Sequence, residues 1–161
     1  MSINFPNQSM QEVSAKIAVT GSGVPMQTVE FRSTATYAAA NWSTQIELFT
    51  GSITPTSSTS KILIYIYGPF RMDVASTWSL GYMWVQNTTG NYNVITSGWN
   101  GTWRNVIGSM TRQYLDSPNS TATQNYSFRV GNYPTGTCYW NNSGQQNSDG
   151  YAYMRLTEIA A

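Results

Sequence analysis

From Met26 to the end of the chain, apolar and polar positions alternate in short runs separated by turn residues, the two-residue period of half-buried strands. Val29 to Arg32 opens the series. Gln45 to Ile53 follows, with Ile46 and Leu48 on one face and Gln45 and Glu47 on the other. A loop of small hydroxyl residues, Ser52 to Ser60, surrounds Pro55 and leads into Lys61-Ile62-Leu63-Ile64-Tyr65-Ile66-Tyr67. That run is β-branched or aromatic at five of the six positions after Lys61 and is predicted to end at Gly68-Pro69. It is apolar on both faces, as suits a strand covered on both sides, and in a sandwich the second cover can be another subunit.

In Trp78 to Gln86, the positions Trp78, Leu80, Tyr82 and Trp84 alternate against Ser79, Gly81, Met83 and Val85. Tyr92 to Thr96 pairs with this run across the hairpin-like loop Asn87 to Asn91, and Trp103 to Met110 adds a further strand. Asn125 to Val130 places Tyr126, Phe128 and Val130 inward and Ser127 and Arg129 outward, and Tyr151 to Ile159 closes the chain. No segment after Met26 keeps a helical period for three turns. The pattern predicts an all-β domain, a β-sandwich or jelly roll, over residues 26–161. Residues 1–25 read as an N-terminal leader or attachment arm, ending in Thr20-Gly21-Ser22-Gly23-Val24-Pro25. Within it, Gln11 to Val19 spans two helical turns, too short for a stable isolated helix, so an extended leader is favoured.

Composition sharpens this picture. Only 9% of residues are charged, against about 25% in an average soluble domain, while 14% are aromatic, including 6 Trp and 11 Tyr. A disordered segment shows the opposite balance, so the chain folds. With a net charge of +1 and its Arg and Lys scattered singly, there is no basic stripe to neutralise phosphates, which excludes nucleic acid as a partner. The longest apolar run lies within Ile62 to Tyr67, far below the roughly 20 residues of a spanning helix, so no membrane insertion is expected. The opening Met-Ser-Ile-Asn-Phe-Pro is not a secretory signal. One cysteine, Cys138, permits neither an intrachain disulfide nor a cysteine-rich metal site.

The stretch Gly51-Ser52-Ile53-Thr54-Pro55-Thr56-Ser57-Ser58-Thr59-Ser60-Lys61-Ile62-Leu63-Ile64-Tyr65-Ile66-Tyr67 resembles the strand–loop–strand signature of small bacteriophage tail-fibre and virion proteins. Tyr153 to Ala161, with Leu156-Thr157-Glu158-Ile159 and two terminal alanines, is similar to their common ending. Gly23-Val24-Pro25 followed by Met26 to Phe31 resembles their entry into the first strand. The resemblance implies a jelly roll of the tumour-necrosis-factor and complement-head type, assembled as a homotrimer that buries one sheet face around its axis. It implies a place on the virion, on a tail fibre or the capsid surface, with other virion proteins met through the leader. On that basis Ile62, Ile64, Tyr65, Ile66, Tyr67, Tyr151 and Tyr153 are candidate trimer-interface residues. The middle departs from the family pattern: Trp78 to Trp103 is richer in Trp and Tyr, and Thr121 to Asp149 is long and loop-like.

The chain has no histidine, which removes the commonest general base and every Ser–His–Asp or Cys–His arrangement, and no catalytic residue, metal or cofactor is expected. Cys138 has no nearby cation in sequence and reads as a structural thiol. Paired carboxylates can cleave glycosidic bonds, but of the seven acids six fit ordinary places: Glu12 in the leader, Glu47 and Glu158 in strand patterns, Asp73, Asp116 and Asp149 in turns; the seventh is Glu30. Two aromatic–amide segments remain as candidate ligand-binding loops. They are Trp99, Asn100, Trp103 and Arg104, and Tyr139, Trp140, Asn141, Asn142 and Gln145. An indole stacks on a sugar ring while amides meet its hydroxyls, so a host surface glycan or protein is the expected partner. Tryptophan is also usually largely buried, so Trp99, Trp103 and Trp140 equally fit a core or an interface. The resulting expectation is a receptor-binding or tip domain of a tail fibre. A capsid decoration or head-fibre protein of the same fold is the alternative.

Overall fold

The alternation becomes ten strands in the computed structural model, which describes residues 23–39, 46–73, 79–102, 106–133, 137–141 and 151–161. They are β1 (Pro25–Ser33), β2 (Tyr37–Ala39), β3 (Ile46–Ile53), β4 (Lys61–Asp73), β5 (Ser79–Asn87), β6 (Tyr92–Thr102), β7 (Val106–Asp116), β8 (Gln124–Tyr133), β9 (Thr137–Trp140) and β10 (Ala152–Ile159). Residues 1–22 of the leader lie outside the described residues. One sheet runs β1-β10-β4-β9-β2, with β7 on the other edge of β4, and the second runs β3-β8-β5-β6. With β2 and β9 set aside, the eight remaining strands in chain order give 1-8-3-6 and 2-7-4-5, the double Greek key of a jelly roll. All pairings are antiparallel.

The inner faces close on one core. Ile62, Ile64 and Ile66 of β4 meet Tyr126, Phe128 and Val130 of β8, Met83 and Val85 of β5, and Met154 and Leu156 of β10, all fully buried. Each such aliphatic side chain contributes about 1.5–3 kcal/mol by leaving water. Gly51 lets the layers touch, since a Cβ there would stand 2.4 Å from the ring of Phe31. On β5 the core takes Met83 and Val85, while Tyr82 and the buried Trp84 lie on the other face and stack on each other at 5.3 Å.

β4 does not stop at Gly68-Pro69. Its register with β7 continues unbroken from Ile62 to Met72. What ends there is the pairing on its other edge: β10 pairs with β4 as far as Tyr67, and β9 takes over at Phe70. Proline is tolerated because its missing N–H falls at this break. Asn141 closes the gap. Its backbone N–H donates to Pro69 O at 2.9 Å, and its Nδ2 donates to Ser33 O at 3.0 Å and Ala35 O at 2.9 Å, bridging the residues between β1 and β2. Its φ of 62° is the left-handed region that Asn tolerates better than most residues. Asn141→Ala is therefore expected to cost about 2–4 kcal/mol, from two lost part-buried hydrogen bonds and left-handed strain. Asn141→Gly recovers the strain alone and loses less; equal denaturation midpoints for both would contradict this account.

The sandwich has two unlike ends. At one, the chain enters at Gly23 and Val24 and leaves at Ala160, the two segments joined by Gly23 N to Ala160 O at 2.7 Å and Ala160 N to Val24 O at 2.9 Å. The loop Thr54 to Ser60 closes over the same end, onto the fully buried Glu158. Thr56 donates to Glu158 Oε1 through N and Oγ1, both at 2.7 Å, and Gln27 Nε2 donates to Oε2 at 2.6 Å. Burial pushes this carboxyl up, but Ser60, Thr56 and Gln27 outweigh it and hold it below the ordinary range. Glu158, read in sequence as part of a strand pattern, is thus an internal anion. Asp116, expected in a turn, ends β7 and is also buried, accepting from Tyr92 and Tyr126 hydroxyls, both at 2.8 Å. Burial and that carboxylate push Tyr92 up to about 12. The opposite end gathers the strand termini joined by segments 40–45, 74–78, 103–105 and 134–136.

Candidate functional site

The outward face of the β1-β10-β4-β7 sheet is the most distinctive surface among the described residues. Strand alternation sends Ile62, Ile64 and Ile66 into the core, so Leu63, Tyr65 and Tyr67 point the other way. Register then sets Tyr153 opposite Tyr67 and Arg155 opposite Tyr65 on β10, with Arg32 and Glu30 of β1 opposite Tyr153 and Arg155. On β7, Thr111, Gln113 and Leu115 lie beside Tyr67, Tyr65 and Leu63. The tyrosines touch: Tyr65 meets Tyr153 edge-on at 6.0 Å between centroids, and Tyr67 meets Tyr151 at 6.4 Å. Leu115 and Tyr151 are 43% and 37% exposed, high for such side chains, and mark this face as apolar surface left open.

Charge sits among these rings. Tyr153 OH and Arg155 Nε both donate to Glu30 Oε1, at 2.5 and 2.9 Å, and Arg32 reaches Glu30 Oε2 at 3.7 Å. The Arg32 guanidinium lies 5.2 Å from the Tyr151 ring centre and 5.5 Å from that of Tyr153, within cation–π range. The Tyr153 hydrogen bond holds Glu30 below the ordinary carboxylate range, with Arg155 and Arg32 adding to it against some burial. Burial first, then the Glu30 bond, push Tyr153 up to about 12. At neutral pH the cluster is therefore a neutral phenol, one carboxylate and two guanidiniums. Its rings and guanidiniums line an open depression of about 550 Å3 formed by Arg32, Tyr65, Tyr67, Tyr151, Tyr153 and Arg155.

The sequence-derived sites fare unequally. Of the candidate interface residues, Ile62, Ile64 and Ile66 are fully buried within the single chain; Tyr65, Tyr67 and Tyr151 share the outward face with Tyr153, which is itself only 7% exposed among them. The run looked apolar on both faces because one face is core and the other is tyrosine-bearing surface. Of the candidate ligand residues, Trp140 is fully buried against Phe70 at 5.6 Å, and Asn141 is held at the strand break, so both side chains are engaged within the fold. Tyr139 is partly exposed beneath the Arg71 guanidinium at 4.8 Å. Trp99 and Asn100 fall on β6 opposite Tyr82 and Gly81, while Trp103, Arg104, Asn142 and Gln145 lie outside the described residues. Cys138 is buried on β9 between Ala39 and Met72. Arg32, Glu30 and Arg155 were missed, and the alternation Glu30-x-Arg32 on the polar face of β1 was the available signal.

No family model and no curated protein sequence matches the chain. Among solved structures it is similar to the infectious bursal disease virus Gx strain, at 13% identity and a TM-score of 0.43, over 98% of this chain and 43% of that one. It is similar to the T13 viral particle of the same virus at 12% identity and a TM-score of 0.47, over 97% and 40% of the two chains. A third likeness is to the disulfide-linked pili of Bacillus endospore appendages, at 10% identity and a TM-score of 0.38, over 90% and 98%. The chain thus spans about two fifths of the length of the viral chains it matches.

Proposed function

We propose that the chain is a virion surface protein that assembles as a homotrimer through the tyrosine–arginine face and works by contact, without catalysis. The observation that carries this reading is the open apolar character of one sheet face in a chain with few charges. An aromatic face of this kind is stable in water chiefly when a partner covers it. The polarity of the sandwich supports the rest: the leader enters at one end, where other virion proteins would hold it. The opposite end is then free to meet a host surface glycan or protein, as a tail-fibre tip does. Burial of Trp140 and Asn141 favours a second reading, a capsid decoration or head-fibre protein of the same fold with no receptor.

Light scattering of the wild type at micromolar concentration is expected to give three times the chain mass. Tyr65→Asp and Tyr67→Asp, on the surface and outside the core, should each cost about 2–4 kcal/mol of assembly, the range of central interface residues. A monomeric wild type would sink the reading. Competition of particle adsorption to host cells by the isolated protein separates the two roles: competition supports the tip, and its absence with intact assembly supports decoration.

A further inference from the structure

The tyrosine–arginine face is not charge-balanced. Arg32 and Arg155 flank the 550 Å3 depression, and Glu30 is the acid that faces them among the described residues. Glu30 Oε1 is already taken by Tyr153 OH and Arg155 Nε, and Arg32 approaches only Oε2, at 3.7 Å. The Arg32 side chain stays 51% exposed, so water completes its solvation. A partner that covers this face strips that water, and a guanidinium without a full counter-charge is heavily penalised when buried. Repeating the face in several copies multiplies the excess.

Resting on the assembly reading above, we propose that the depression between Arg32 and Arg155 binds an oxyanion, which balances the face when further copies cover it. The guanidinium fork matches the paired oxygens of carboxylate, phosphate or sulfate, and Tyr65, Tyr67 and Tyr151, which line the depression beside Tyr153, carry further hydroxyl donors. The depression lies within the usual range for small-ligand sites, about 300–1,000 Å3, so a tetrahedral ion fits beside the rings.

Inorganic sulfate is the probe. At ionic strength matched with sodium chloride, millimolar sulfate should lower the dissociation constant of the assembly about tenfold, a preference that general screening does not produce. Arg32→Gln, on the exposed sheet face, should show no response to sulfate, whatever its own assembly constant. A sulfated disaccharide that acts more strongly than sulfate identifies a glycan as the source of the anion; equal action identifies a free ion. Equal response of the wild type to sulfate and chloride, or a response retained in Arg32→Gln, overturns the site. If the wild type stays monomeric throughout, the assembly reading fails, and thermal unfolding of the monomer decides the site. Sulfate protection lost in Arg32→Gln supports it, and no protection overturns it.

Discussion

Glu158→Gln is expected to destabilise the domain by about 1.5–3 kcal/mol, the range for hydrogen bonds to a charged group. The carboxylate is fully buried, and its partners among the described residues are donors and no cation. A glutamine keeps one accepting oxygen but turns an amide NH2 toward either Thr56 or Gln27, both donors. That donor meets a donor in the closed end of the sandwich, and the loop Thr54 to Ser60 loses its anchor together with β1. The loss is a stability effect, read as a lower midpoint in urea or thermal unfolding. A midpoint within experimental error of wild type would show that the loop is held by its backbone alone.

The same carboxylate gives the effect a pH signature. Its folded value lies below the ordinary 4.5, so its contribution is present above that value and disappears as pH falls through the folded one. The difference between wild type and Glu158→Gln should therefore be full near about pH 7 and shrink toward about pH 3. Glu30 is also held low, first by Tyr153, and loses its smaller, exposed contribution over the same window in both proteins. A difference that does not narrow in acid would mean that Glu158 is uncharged in the fold.

Glu158 also shows what the sequence could and could not convey. The resemblance singled out the hydroxyl loop at Thr54–Ser60 and the ending Leu156-Thr157-Glu158-Ile159 as separate segments. In space they are one device, the loop supplying donors to the acid across 102 residues of chain. Strand identity was legible because alternation is local: Tyr126, Phe128 and Val130 point inward as their spacing requires. Sidedness was not legible on β4, where both faces are apolar and only the partner sheet decides which is core. Nor were β2 and β9, of three and four residues, since so short a run carries no period and depends on pairing with each other and with β4. The aromatic–amide pattern at Trp140-Asn141 is ambiguous in sequence because stacking residues and turn-forming amides are equally what a strand break next to a core demands.

Trp140→Ala is the second large effect, expected at about 3–5 kcal/mol, the cost of deleting a buried indole from a core that relaxes only in part. The ring is fully buried, packs on Phe70 at 5.6 Å, and lies so close to β4 that a Cβ on Gly68 would stand 3.1 Å from it. Its position joins β9 to the end of β4 that β10 no longer reaches, so the cavity would loosen β2 and β9 together. Trp140→Phe should lose less, because a smaller ring keeps part of the contact and Nε1 meets no acceptor among the described residues. A sugar-stacking tryptophan behaves in the reverse way, with ligand binding lost and the unfolding midpoint kept. Urea unfolding of Trp140→Ala beside Tyr139→Ala separates the two, since Tyr139 is partly exposed and its loss should be small. Any fall in host-cell adsorption by Trp140→Ala then reports unfolding, and only an unchanged midpoint with lost adsorption would return Trp140 to a binding site.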